Sequence, residues 1–426
     1  MVKRLIEFSL RNRWMVLLIS ACLFGWGIWS VKKNPIDAIP DVSENQVIVF
    51  TEWMGRSPQV IEDQITYPLV SNLQGIPKIK NVRGSSMFGM SFVYIVFEDN
   101  VDIYWARTRV LERLNYAQRL LPEGVSPALG PDGTGVGHIF WYTLDAPGYD
   151  LGELRALQDW YIKYGLQTVK GVSEVASFGG FQKQYQINID PHKLNYYKIS
   201  LMEVLKAVKT NNNDVGGRKF EISDMSYIVR GLGYLKNIEE VKNIPVGKDG
   251  TTPITLAMVS SSIQMGGDLR LGIFDQNGDG EVVGGIVVMR YGENADEVIK
   301  NIKIKLADIE KGLPDGVKFK IAYDRSELIE AAIGSVKKTI AEEMIVVSLI
   351  VLIFLFHWRS AFIIILQIPI SIAASFILLE AFGISSNIMS ITGIALAIGV
   401  VVDDGIMMVE NAYRHLADAQ QGKEEK

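Results

Sequence analysis

The stretch IALAIGVVVDDGIMMVEN, residues 394–411, places two adjacent aspartates, Asp403 and Asp404, inside a run that otherwise has the composition of a membrane-spanning helix. A carboxylate at the centre of such a helix costs about 2.5–3.5 kcal/mol on insertion scales. Two in succession are too costly to be incidental. The stretch therefore predicts a transmembrane helix whose acidic pair has a function.

Burial and the neighbouring like charge both favour the protonated form of at least one of the two aspartates, so the pair is suited to loading and unloading a proton. One charge that crosses the membrane potential releases about 2.3 kcal/mol per 100 mV. A stripe of residues spaced by seven extends the acidic face, and its members are Met389, Leu396, Asp403 and Glu410. We therefore predict a proton relay of Asp403, Asp404 and Glu410; the alternative is static pairing of Asp403 with a lysine or serine of a neighbouring helix.

Three further apolar runs are long enough to span a bilayer, which takes about 20 residues. The predicted transmembrane helices are 14–31, 340–357, 361–382 and 387–411. The run before the first helix is basic, with Lys3, Arg4, Arg11 and Arg13. By the positive-inside rule, the N-terminus (1–13) and the tail (412–426) are predicted to be cytoplasmic.

The polar segment between the first two predicted spans carries an internal repeat. Two units follow β-α-β-β-α order, and each has a similar turn after its first helix, QGIPKIKNV in one and KGVSEVASF in the other. This order is typical of ferredoxin-like sandwiches. We therefore predict an α+β membrane protein with a first subdomain at 32–133, a second at 134–339, and an insertion at about 180–270 within the second.

A calcium-loop motif occurs in DQNGDGEVVGGI, residues 275–286. Asp275, Asn277 and Asp279 match ligand positions, but Ile286 stands where an EF-hand needs a bidentate glutamate. No flanking helix pair is predicted either. We therefore interpret the stretch as an acidic glycine-rich turn before a buried strand.

Several motifs together resemble one transporter family. GVVVDDGIMMVEN is similar to the fourth-helix signature of resistance-nodulation-division (RND) efflux pumps. NPIDAIPDV, LGPDGTGVGHIFWYTL, NGDGEVVGGIVVMR and AYDRSELI resemble the heavy-metal subfamily, nearest its copper/silver members. The resemblance extends along the whole chain.

The resemblance implies a secondary active transporter rather than an enzyme, a proton/metal-cation antiporter of the cell inner membrane with a large periplasmic region. Such pumps are homotrimers with twelve helices per protomer, and they work with a periplasmic membrane-fusion adaptor and an outer-membrane channel. The chain corresponds to the first half, with two porter subdomains and a docking insertion. The lysine partner of the relay and the main metal site would lie in the C-terminal half, so we expect a fragment or one piece of a split pump. No nucleic acid and no permanently bound cofactor are expected.

The transported metal is expected to be Cu⁺ or Ag⁺, which prefer thioether ligands. Met389 and Met408 match relay positions of the family, whereas Leu269 and Val401 stand where further methionines would be expected. The Asp-Asp-Gly sequence departs from the single aspartate of the copper/silver members. A divalent-cation pump (zinc, cobalt, nickel or cadmium), a hydrophobic-drug RND pump and a membrane-anchored sensor or adaptor therefore stay open as alternatives.

Overall fold

The computed structural model describes residues 2–222, 224–270, 272–355 and 358–424. Its α-helices are α1 Val2–Arg11, α2 Arg13–Lys33, α3 Pro58–Ile61, α4 Tyr67–Leu73, α5 Ile103–Ala117, α6 Leu151–Leu157, α7 Lys163–Gln167, α8 Pro191–Tyr197, α9 Leu201–Asn211, α10 Ile238–Lys242, α11 Leu256–Val259, α12 Ala295–Glu310, α13 Arg325–Leu355, α14 Trp358–Ala381 and α15 Ile388–Glu424. Its strands are β1 Gln46–Glu52, β2 Ile79–Met87, β3 Met90–Phe97, β4 Ala128–Leu129, β5 His138–Asp145, β6 Val172–Phe178, β7 Lys183–Ile189, β8 Val215–Ile222, β9 Met225–Gly231, β10 Pro245–Asp249, β11 Thr252–Thr255, β12 Ser260–Gly267, β13 Val283–Met289 and β14 Lys318–Asp324. The chain divides into two compact units, one of residues 1–143, 163–176 and 285–426, the other of residues 144–162 and 177–284.

The first sheet of the first unit has the strand order β2-β3-β1-β4. β1 pairs antiparallel with β3, and β3 with β2. Alternate residues of β1, Val47 and Val49, are buried under the helices, as expected for a strand with one covered face. The helices cover this face with apolar residues that recur every four positions in α5 and in the run from α3 to α4, so each helix buries one apolar stripe. These residues are Ile61, Ile65, Leu69, Leu73, Ala106, Val110 and Leu114.

The first helix of each predicted repeat contains a π-helical turn. One turn spans Glu62–Thr66, between α3 and α4, and the other spans Gln158–Ile162, between α6 and α7. A π-turn inserts one residue into the helix, and such turns are rare. Their presence in corresponding helices is a structural sign of the repeat that hydrophobic periodicity alone does not give.

The second sheet has the strand order β14-β5-β13-β6. β13 is buried along its whole length, and α12 packs its apolar stripe, which includes Val298, Ile302 and Leu306, into the core. Aromatic pairs join the neighbouring strands β5 and β14, with ring centroids 5.7 Å apart for Trp141 and Tyr323 and 5.5 Å apart for Tyr142 and Phe319. Such pairs stabilise cross-strand contacts beyond their buried area. Helix α13 follows β14 directly, without a loop.

Asp132 is the centre of a polar cluster in the first unit. Its carboxylate accepts hydrogen bonds from the hydroxyls of Tyr104 (3.2 Å) and Ser173, and Arg290 lies 3.6 Å away. Burial acts to raise the pKa of Asp132, but the bond from Ser173 and the charge of Arg290 outweigh burial and hold the pKa below its usual value. The charged carboxylate therefore ties α5, β6 and the end of β13 together at neutral pH.

The second unit has its own small core. β7 pairs antiparallel with β12, and β10 with β11. Its buried residues are Val204, Val241, Ile244, Val246, Ile254, Leu256 and Val259. β8 and β9 form an antiparallel hairpin whose described residues are all exposed. The hairpin is therefore held by its ladder of hydrogen bonds rather than by a core.

The long C-terminal helices pack against one another in the first unit. Ile368 of α14 and Ile398 and Val402 of α15 form a buried cluster, to which α13 contributes Ile340 and Met344. Helix α2 lies against α14, and the closest approach is at Gly27, where an added Cβ would lie 2.4 Å from the carbonyl oxygen of Ala373. Small residues permit such close packing between membrane helices.

Two helices among the described residues are long and apolar enough to cross a membrane, namely Arg13–Lys33 and the Ile388–Ala412 part of α15. Helix α14 contains the shorter apolar stretch Ile365–Ala381. Length and composition thus support two of the four predicted spans, and the four-span arrangement stays a prediction.

The packing at Gly27 generates a test. Gly27→Ala should lower the melting temperature of the detergent-purified protein, because the new methyl group overlaps the α14 backbone; overpacking of this kind costs about 1–3 kcal/mol. Gly25→Ala is the matched control, since nothing lies within 4 Å of a Cβ at that position on the same helix. Equal melting temperatures for the two variants would contradict the α2–α14 contact.

Candidate functional site

Helix α15 carries the predicted relay, and its start is fixed by a reciprocal cap. The backbone N–H of Asn387 donates to Ser390 Oγ (2.9 Å), and the N–H of Ser390 donates to Asn387 Oδ1 (3.0 Å). Asn387 is buried. Such a cap satisfies N–H groups that a helix start leaves without partners, so α15 begins at a defined residue.

The apolar face of α15 is used for packing against α13 and α14. Ile398 and Val402 are buried there, and Ile406 and Val409 continue the same face at helical spacing. Asp403 and Asp404 follow Val402 in the chain, but their side chains lie on the other side of the helix from this cluster, and both are exposed. Among the described residues, no cation lies within ion-pair distance of either carboxylate. The acidic pair is therefore brought together on an uncovered face of the helix.

The remaining predicted site residues are also exposed. Met389 is 68% exposed and Met408 is 62% exposed. Met389 shares the stripe of Asp403, whereas Met408 lies one turn beyond Asp404. Glu410 pairs with Arg414 at 2.6 Å, one turn later on the same helix. Glu410 is thus engaged with the tail, unlike the two aspartates.

Gln367 of α14 is a polar residue near the acidic pair that the sequence analysis did not single out. A Cβ on Gly405 would lie 2.8 Å from Gln367 Oε1, so the glycine after the aspartates lets the amide approach α15. An amide within an apolar run was the available signal. By contrast, nothing lies within 4 Å of a Cβ on Gly393 or Gly399, so these glycines face open space.

The glycine-rich turn at 275–281 uses its own carboxylate for backbone bonds. Asp275 accepts the N–H of Gly278 through Oδ1 (2.8 Å) and that of Gly280 through Oδ2 (3.1 Å). No cluster of three or more histidine, cysteine, aspartate or glutamate side chains suited to a metal occurs in the part of the chain that the structure describes. The turn therefore has a structural explanation without calcium.

The described part of the chain thus combines two helices of membrane length, a large α/β region between them and a carboxylate pair inside the second of these helices. The chain belongs to the AcrB/AcrD/AcrF family of RND transporters, whose family model matches residues 5–426. This confirms the resemblance found in the sequence.

The chain is similar to proteins named for cation efflux and metal resistance. It is 45% identical to a putative cation efflux system protein, SilA of Salmonella typhimurium, over 98% of this chain and 40% of that protein. It is 45% identical to the cation efflux system protein CusA of Escherichia coli K12, over 99% of this chain and 40% of that protein. Identity to the cobalt-zinc-cadmium resistance protein CzcA of Cupriavidus metallidurans is 37%, over 99% of this chain and 40% of that protein.

A solved structure of a heavy-metal efflux pump has the same fold. It superposes with a TM-score of 0.86 at 33% identity, over 96% of this chain and 41% of that chain. The chain therefore has the RND transporter fold, of mixed α/β type, and spans about two fifths of the length of the relatives it matches.

Proposed function

We propose that the chain supplies the relay carboxylates of a proton-driven RND pump that exports heavy-metal cations across the cell inner membrane. The observation that carries the proposal is the exposed pair Asp403 and Asp404 on a helix of membrane length. Two carboxylates facing lipid would cost several kcal/mol, so this face must be covered by protein or water. A covered acidic pair that binds and releases protons is the coupling element that such a pump requires.

The proposed arrangement places four spans in the membrane and residues 32–339 in the periplasm, as two ferredoxin-like porter subdomains with a docking insertion. The exposed side of α15 carries large apolar side chains, including Leu396, Val400 and Met407, beside its acidic groups. We propose that helices of the C-terminal half cover it within a homotrimer. A membrane-fusion adaptor and an outer-membrane channel would complete the export path.

The proposed cargo is Cu⁺ or Ag⁺. Identity is higher to CusA and SilA (45%) than to CzcA (37%), and the sequence motifs resemble the copper/silver branch. Exposed thioethers at Met389 and Met408 suit soft monovalent ions. A divalent-cation pump is the second candidate, because Leu269 and Val401 interrupt the methionine path.

The topology can be tested by cysteine labelling from outside the cell. A cysteine at Asn213 should react with an impermeant maleimide, because residue 213 lies in the segment proposed to be periplasmic, and one at Gln421 should not. The parent protein needs Cys22→Ser, since Cys22 is exposed on α2. The reverse labelling pattern would invert every assignment of sides.

The relay can be tested in the native host. Asp403→Asn should abolish metal resistance at an unchanged membrane level of the protein, because the amide keeps the shape and loses the proton. Asp404→Asn should be equal or milder, since one member of a coupled pair can cycle alone. Glu410→Gln should be milder still, because Glu410 already pairs with Arg414.

A matched control for the relay variants is Asp99→Asn. Asp99 forms an exposed ion pair with Lys80 (2.7 Å) far along the chain from α15, and exposed pairs contribute little. This variant should leave resistance unchanged. Full resistance in the Asp403→Asn strain would reduce that residue to a packing role.

The metal assignment can be tested with Met389→Ile plus Met408→Leu. Both changes nearly conserve volume, so the expected packing cost is below about 1.5 kcal/mol, while the soft ligands are lost. Silver resistance should fall, while the ratio of protons moved to metal exported by membrane vesicles stays intact. Unchanged silver and copper resistance in the double variant, with zinc or cobalt resistance conferred by the parent protein, would assign the pump to the divalent-cation branch.

A further inference from the structure

The segment that follows α2 is joined to the loop that precedes α15. Asn34 donates through Nδ2 to the carbonyl of Ile384 (3.1 Å) and to Ser386 Oγ (2.9 Å). Ile36 and Ser386 form a parallel β-bridge. Its backbone bonds are Ser386 N–H to Pro35 O (2.9 Å), Asp37 N–H to Ser386 O (3.1 Å) and Ile388 N–H to Ala38 O (3.3 Å). The start of α15 is thereby fixed to residues 34–38.

An ion pair between Asp37, which is half-buried, and Arg325, which is buried, joins the same segment to the start of α13. Arg325 Nη2 lies 3.0 Å from Asp37 Oδ1, and the two side chains are 4% and 17% exposed. Arg325 Nη1 donates to the carbonyl oxygen of Val136, in the turn before β5. The planar guanidinium thus holds two partners at once, which an ammonium group of lysine could not do with the same geometry.

Arg325 stands where the second sheet becomes a long helix. β14 ends at Asp324 and α13 begins at Arg325, with no loop between them. Asp324 accepts the N–H of Ser326 (2.9 Å) and so caps the helix. The side chain of Arg325 also reaches the turn before β5, the strand that pairs with β14 in the sheet. A continuous series of contacts therefore joins the second sheet to α13 and, through Asp37, to the start of α15.

Stability alone does not explain the pair. Taking two charges out of water costs about as much as their attraction returns, and apolar replacements of buried pairs are often neutral or stabilising. Burial raises the pKa of Asp37 above its usual value, although the charge of Arg325 opposes the rise. The best-attested use of such pairs is to fix one arrangement of the elements that they join.

We propose that Asp37 and Arg325 are a positioning pair that couples the start of α15 to the second sheet, so that proton loading on α15 and movement of the sheet occur together. The inference rests on the proposed function. It assigns a role to two residues distant in sequence from the acidic pair. Energetic coupling between sites is carried by contiguous networks of hydrogen bonds, packed side chains and rigid elements, and the junction described above is such a network.

The test uses the native host and inside-out membrane vesicles prepared from it. The metal probe is Ag⁺, or Zn²⁺ if the host resists divalent ions instead. Asp37→Asn should lower metal export by about 3- to 30-fold, the range expected for loss of a coupling contact. Proton release from the lumen of the energised vesicles should no longer rise when the metal is added. Arg325→Lys should lie between this variant and the parent, because an ammonium group keeps the charge but cannot hold Asp37 and the carbonyl oxygen of Val136 with the same geometry.

Asp99→Asn is again the matched control. The Asp37→Asn and Arg325→Lys proteins should have the same membrane level as this control in the host and the same melting temperature after purification. A purely structural role would lower the amount or melting temperature of Asp37→Asn in proportion to export and leave the proton-to-metal ratio unchanged; this result would overturn the inference. Full export in Asp37→Asn would do so as well. Asp403→Asn is measured in parallel, because export retained in that variant contradicts the proposed function itself, whereas export retained in Asp37→Asn alone contradicts only the coupling.

Discussion

Under the proposed function the acidic pair of α15 lies within the bilayer, where a carboxylate must be covered by protein or water. α15 has one apolar face, centred on Ile398 and Val402, that packs on α13 and α14. Its other side carries Asp403 and Asp404, exposed and next to large apolar side chains. Lipid would penalise this second side, whereas protein partners would not. Under the proposed function, α15 would therefore lie between two groups of helices.

Helix α13 and the start of α15 are connected to the α/β region without flexible linkers. A flexible linker would absorb any displacement, because each free residue adds conformational freedom. β14 instead passes into α13 without a loop, and residues 34–38 bridge to the loop before α15. Under the proposed coupling, fixed connections of this kind would let a change at one end of the first unit reach the other end.

Local sequence patterns predicted many of the helices and strands, but few of the contacts between residues that are distant in the sequence. Apolar runs of about 20 residues indicated α2 and α15, and two-residue and 3.6-residue periods indicated the repeated strands and helices. The acidic stripe on α15 followed from spacing alone. In contrast, Asp37 and Arg325 are 288 residues apart, and neither lies in a pattern that encodes its partner. Gln367 stands out in the sequence as an amide within an apolar run, but its approach to Gly405 depends on how two helices pack.

The positions of the methionines bear on how cargo and proton could be kept separate under the proposed function. A thioether has no titratable proton, so a metal held by Met389 or Met408 would not compete with protons for its ligands. Carboxylate ligands would compete, because they must be deprotonated to bind a metal. Met389 lies on the stripe of Asp403, two helical repeats of seven away, and Met408 lies one turn beyond Asp404. Proton and soft metal would then use neighbouring but chemically independent groups of one helix, and their coupling would have to be mechanical, through the elements that α15 contacts.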